Sequence, residues 1–225
     1  MNWSTPAFYD HVARLERAGL VRRAPMTRGS GSLIVITPDG ARMTAGPGAG
    51  APRSVAPTTW AHVSACAWAA AWFAVRGREW LSSHEILRED TWAGDVVYHD
   101  GYGRRQRQRH RPDLVTYLPE SGRPAAVEVE LQPKSPARLR GILAMYHVRT
   151  AEPDPELAGV VYISGAIRVS RSLRSAAEAV NFGEYPDGRL RIFDLEDVIA
   201  ETRAVAHSNR TTARESGSRD IHAVA

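Results

Sequence analysis

The chain has 225 residues, 43% hydrophobic and 24% charged, which supports one large packed domain or two small ones and excludes a wholly disordered chain. The formal net charge of +4 permits contact with nucleic acid but is equally what a solvated basic face would give. A single cysteine, Cys66, excludes an intrachain disulfide and an all-cysteine zinc site, which suits a reducing cytoplasm.

The first element expected is a helix. Ser4 is a plausible cap with Pro6 in the first turn, Phe8, Val12 and Leu15 share one face, and Gly19 ends it. Two β-type runs follow, LVRR and SLIVIT, around the loop APMTRGSG with Arg28 at its tip. The phrase LERAGLVRR…LIVITPDGARM resembles the second half of a bacterial winged-helix domain. Two preceding helices of that module are missing, so residues 1–45 are expected to be a partial winged helix or an accessory helix and hairpin. A start further upstream would complete it. The start of the chain lacks a basic region followed by an apolar run, so no secretory leader is expected and the expected localisation is cytoplasmic.

Residues 46–58, rich in Gly, Pro, Ala and Ser, read as a linker, and residues 59–202 as an α/β domain. A helix is expected over 59–76. Its run ACAWAAAWFAV is shorter than the ~20 apolar residues of a membrane span and reads as buried, with Cys66 a small core residue. A short helix in SSHEILRED precedes β-runs at DVVYHD, DLVTYL and AAVEVELQ. A helix SPARLRGILAMYHVR, a strand AGVVYISG, a helix SRSLRSAAEAV and a strand RLRIFDL follow. This order predicts a mixed sheet with helices on both faces. The polar stretch 203–225 reads as a disordered tail.

The strand AVEVELQ alternates strictly, so Glu128, Glu130 and Gln132 share a face opposite Val127, Val129 and Leu131. The turn PESGRP folds it back on PDLVTYL and brings Asp113 near its acids. Carboxylates so close need protonation or a cation such as Mg²⁺, though a solvated polar face has the same pattern. Just upstream, Arg104, Arg105, Arg107, Arg109 and Arg111 make five of residues 104–111 arginine. Such a run is a solvated or disordered arm, or a phosphate-binding surface beside an acidic pocket. Arg138, near the start of the next helix, reads either as a phosphate contact or as part of a solvated face.

An aspartate, a hairpin turn and Glu-x-x within this order of elements resemble the PD-(D/E)xK nuclease superfamily, with RPD at 111–113 and VEVE at 127–130 in the motif positions. The winged-helix half followed by VEVELQPKSPARLRGILAMY resembles the actinobacterial replication-relaxation family, proteins associated with plasmid replication and mobilisation. The resemblance implies an αβββαβ restriction-endonuclease-like core that acts on DNA, with no membrane partner and a homodimer left open. It implies Mg²⁺ held by Asp113 and Glu128, with the Val129 carbonyl as a further ligand. Glu130 stands where the motif has lysine. Glu130 can serve as an extra ligand or base, Lys134 can reach back into the site, or catalysis is lost and DNA binding kept. A shifted register puts Gln132 in the lysine position. Glu85 is either a further metal acid or, three residues after Ser82, part of a capping box. His84 and His110 lack metal-ligand spacing and read as surface or core histidines. A winged-helix transcription regulator is the alternative drawn from the first 45 residues alone.

Overall fold

The computed structural model describes residues 5–25, 32–45, 57–119, 121–151, 153, 155–184 and 188–219. They divide into two compact units, Met1–Ala61 with Arg210–Ala225, and His62–Asn209. Ser4, Arg28 and residues 46–56 of the expected linker lie outside the described residues; positions 57 and 58 already belong to a helix.

In the first unit, α1 (Thr5–Arg17) ends at Gly19, whose φ of +70° is a left-handed conformation that glycine adopts without a Cβ clash. Val12 is buried, whereas Phe8, expected on the same face, is exposed. β1 (Val21–Pro25) pairs antiparallel with β2 (Ser32–Ile36), Val21 opposite Ile36. α2 (Pro38–Ala45) is additional to the elements expected from the sequence. The Thr37 hydroxyl caps it, accepting from the Gly40 N–H at 3.1 Å.

The second unit is built on a mixed five-stranded sheet. α3 (Pro57–Ala74) precedes β3 (Trp80–Leu81), α4 (Ser83–Ile86), β4 (Gly94–His99), β5 (Arg105–His110), β6 (Leu114–Tyr117) and β7 (Pro124–Glu130). α5 (Pro136–Arg149), β8 (Gly159–Ser164), α6 (Ile167–Glu178), β9 (Leu190–Asp194) and, as far as Asn209, α7 (Leu195–Arg219) complete it. The sheet order is β3-β6-β7-β8-β9. The first two pairings are antiparallel and the last two parallel, as the helical connections α5 and α6 require.

Both sheet faces are covered. Val115, Ala126, Val160 and Leu190 pack with Leu139, Ile142 and Leu143 of α5 and Leu173 of α6. On the other face Val127, Val129, Val161 and Ile163 pack with Ala69 and Phe73 of α3 and Val198 of α7. β7 therefore buries residues on both sides, and its polar positions are not a solvated face.

Three expectations are corrected. DVVYHD does not join the main sheet: β4 pairs with β5 in a separate two-stranded sheet, and β3 takes the edge beside β6. The arginine run is a strand and not a disordered arm, because R-Q-R-Q-R has the period of two that a strand imposes and β4 supplies its backbone partners. Finally, α7 continues through residues 203–219, expected as a disordered tail. That stretch has no proline to break a helix and several alanines and arginines to favour one. Residues 220–225 lie outside the described residues.

The β4–β5 hairpin lies on α5. Val96 joins the α5 face of the core, and a Cβ at Gly141 of α5 would come within 3.0 Å of the Val97 carbonyl oxygen. The missing side chain lets helix and strand approach this closely. No helix among the described residues is long and apolar enough to cross a membrane.

Candidate functional site

The register of the β6–β7 hairpin sets Leu114 opposite Val127. Asp113, one residue before β6, donates its N–H to the Val127 carbonyl at 3.0 Å. Its Oδ2 accepts from the Val129 N–H at 2.8 Å, and its Oδ1 accepts from His62 Nε2 at 3.0 Å. One carboxylate thus ties the end of β7 to α3. His62 and Cys66 are four residues apart on α3, so they share a helix face, and Cys66 Sγ lies 3.5 Å from His62 Nε2.

The His62 imidazole is pushed up to about 10, first by its hydrogen bond to Asp113 and then by Cys66, against the opposing effect of partial burial. It is therefore an imidazolium at neutral pH. Burial is the main cause that raises the Cys66 thiol, which is accordingly protonated in this arrangement.

Glu128 is buried at 3% exposure on the α5 side of the sheet. Tyr146 of α5 donates its hydroxyl to Glu128 Oε1, and His110 Nε2 lies 2.7 Å from the same atom. His110 is the last residue of β5, so the period-two alternation that turns Arg105, Arg107 and Arg109 outward turns this imidazole in. Tyr162, opposite Glu128 on β8, is fully buried and its hydroxyl has no hydrogen-bond partner among the described residues. Both phenols are held well above their ordinary range, first by burial and next by the Glu128 charge.

Glu130 is also buried and forms an ion pair with Lys134. Burial pushes the Lys134 ammonium down, while the carboxylates of Glu128 and Asp113 act to hold it up. Lys134 thus lies in the field of all three acids. Asp113, Glu128, Glu130 and Lys134 are gathered at one end of β7.

Other expected site residues lie apart from this cluster. Glu85 completes a capping box: its Oε2 accepts from the Ser82 N–H and hydroxyl, each at 2.7 Å. Its carboxylate is committed to the start of α4 and not to the acids of β7. Gln132 is exposed past the end of the strand. Arg104 pairs with Asp100, Arg107 with Asp95, and Arg109 and Arg111 with Asp90, while Arg105 takes part in none of the described ion pairs. The Arg138 N–H donates to the Ser135 hydroxyl that caps α5, and the Arg138 charge acts on Lys134.

His62, Cys66, His110, Tyr146 and Tyr162 were not identified as site residues from the sequence. The i, i+4 spacing of His62 and Cys66 was a usable signal. The two tyrosines had none, because they read as core.

A cavity of about 600 Å³ opens at the opposite end of the sheet, near Ala125 and Gly159 in the first residues of β7 and β8. Trp72, Arg76, Arg78 and Phe193 contribute to its walls, and none of the acid cluster lines it.

The second unit is thus a mixed-sheet α/β fold with a buried acid cluster at one sheet end, adjoining a histidine–cysteine pair. No family model and no curated protein matches this sequence. Among solved structures, the crystal structure of protein VC1899 from Vibrio cholerae covers 92% of this chain at 10% identity and a TM-score of 0.35. This chain corresponds to 45% of that protein's length, and the likeness is too distant to bear on the site.

Proposed function

We propose that the protein acts on DNA through a nuclease-like core of the PD-(D/E)xK type, in which Asp113 and Glu128 are the metal-binding acids of a phosphodiester-cleaving site. The order α3, β3, β6, β7, α5, β8 is compatible with the αβββαβ arrangement of that superfamily. The replication-relaxation family, and with it a role in plasmid or mobile-element replication, belongs to the same proposal.

The observation that carries the reading is Lys134. The motif position of its lysine is taken by Glu130, yet Lys134 folds back onto Glu130 and into the field of Asp113 and Glu128. A lysine held there can orient a water as the ammonium, and burial, by weakening its hold on the proton, favours the neutral amine that can accept a proton from that water.

Carboxylate oxygens are the donors that a hard divalent cation takes. Asp113 accepts one hydrogen bond on each oxygen, which leaves further lone pairs, and Glu128 is oriented by Tyr146 and His110. Bound there, Mg²⁺ would supply a Lewis acid for phosphodiester hydrolysis. The arginines of β5, next to His110, would supply positive charge to a nucleic-acid backbone.

A second reading has its own support. Glu128 Oε1 already carries two partners, as the acid of a purely structural network would. On that reading the protein is a catalytically inactive DNA-binding accessory factor, or a winged-helix regulator whose second unit is a scaffold.

A plasmid-nicking assay with Mg²⁺ separates them. Nicking by the wild type that disappears in both Asp113→Ala and Glu128→Ala, with folding intact by circular dichroism, is the expected result. Nicking that survives both substitutions overturns the site. DNA binding insensitive to EDTA, without nicking, favours the inactive reading.

A further inference from the structure

We infer that His62, Cys66 and Asp113 form a binding site for a thiolate-accepting divalent transition ion, with Zn²⁺ the best match. The inference deepens the reading above by naming a softer ion at the Asp113 carboxylate, and it depends on that reading only through Asp113.

The three donor atoms lie within 4.8 Å of one another. Zn–N and Zn–O bonds of about 2.0 Å and a Zn–S bond of about 2.3 Å at tetrahedral angles place N and O about 3.3 Å apart and N and S about 3.5 Å apart. His62 Nε2 lies 3.0 Å from Asp113 Oδ1 and 3.5 Å from Cys66 Sγ. Two of the three edges, nitrogen to oxygen and nitrogen to sulfur, therefore already have nearly the spacing of a coordination tetrahedron. An ion would replace the proton that His62 now shares with Asp113, and would take the thiolate of Cys66 after loss of the thiol proton to solvent.

The frame is rigid where it needs to be. His62 and Cys66 are fixed by one helix, and Asp113 is held on its other oxygen by the Val129 N–H at 2.8 Å. The nearby Glu128 carboxylate adds negative charge that favours a cation, and its charge reaches Cys66. The donor chemistry chooses the ion. A thiolate and an imidazole select Zn²⁺ or Co²⁺ over Mg²⁺, which prefers oxygen alone. Three protein ligands leave a fourth position for water, the pattern of a reactive zinc site and not of a closed structural one.

Co²⁺ titration of the full-length, reduced protein tests this without DNA or activity. The chain has one cysteine, so a thiolate-to-cobalt charge-transfer band in the near ultraviolet reports Cys66. The expected result is such a band, displaced by added Zn²⁺ and absent from Cys66→Ser. His62→Ala and Asp113→Asn should each weaken Co²⁺ binding by more than about tenfold, since losing even an outer-shell partner costs that much. Far-ultraviolet circular dichroism verifies that each variant is folded. Absence of the band in the wild type, or a band of unchanged affinity in both His62→Ala and Asp113→Asn, overturns the inference. Mg²⁺-dependent nicking by protein that shows no band leaves the nuclease reading standing and removes this one. A band without nicking does the reverse.

Discussion

Lys134 folds back from the turn after β7 to pair with Glu130, two positions beyond Glu128 on the same face of the strand. Both partners are largely shielded from water, with side-chain exposures of 20% and 10%. The charge of each is what makes the burial of the other tolerable, and several consequences can be measured.

Lys134→Met should leave Glu130 buried without a counter-charge and cost about 3 kcal/mol of stability by urea denaturation. The double variant Lys134→Met with Glu130→Met should recover more than half of that loss, because an apolar pair needs no compensation. A double-variant loss equal to the sum of the Lys134→Met and Glu130→Met losses would show that the pair is not coupled. Both variants should lose Mg²⁺-dependent nicking on the nuclease reading.

Tyr146→Phe keeps the buried ring and removes only the hydroxyl that donates to Glu128. The carboxylate then keeps His110 but loses its phenol, at an expected cost of about 1–3 kcal/mol. A chemical denaturation curve identical to wild type would mean that the phenol contributes nothing to holding Glu128.

The His62–Asp113 pair predicts an alkaline loss of stability. His62 is raised from 6.5 to about 10 in the folded chain. A group raised on folding adds stability that is complete below its unfolded value and disappears as pH rises through its folded value. The melting-temperature difference between the wild type and His62→Gln should therefore be largest below pH 6.5 and shrink steadily towards pH 10. A difference independent of pH over that window would contradict the charged pair.

The outward arginines of β5 make a salt-dependent prediction. If they meet a DNA backbone, replacing Arg105, Arg107 and Arg109 by glutamine should weaken binding. It should also reduce the slope of log K against log salt by about 0.9 for each phosphate that is no longer neutralised. Arg105, outside the described ion pairs, should lower affinity alone without lowering the melting temperature. Unchanged binding and slope would remove β5 from the interface.

Much of the frame could be read from the residues in order. The period of two in AVEVELQ divides Val127 and Val129 from Glu128 and Glu130, and the structure puts the two sets on opposite covered faces. The capping box Ser82–Glu85 needs only local spacing, because its bonds span three residues. The helices α5 and α6 between strands demand parallel pairing, so a mixed sheet follows from order alone.

Other features depend on contacts distant in sequence. Whether R-Q-R-Q-R is an arm or a strand depends on β4 being close enough to supply backbone partners, which an alternating polar sequence does not reveal. The approach of His62 to Asp113 joins residues 51 apart, and no local pattern encodes which helix face meets which strand end. Tyr146 and Tyr162 look like ordinary core residues until the register sets them around Glu128. Local periodicity thus determined the elements and the sides on which their side chains lie, because both arise from backbone geometry within a few residues. Only the tertiary fold decided which polar groups meet at the end of β7, because burying Glu128 and Glu130 and partly burying Asp113 there depends on counter-charges and donors brought from α3, β5, α5 and the turn after β7.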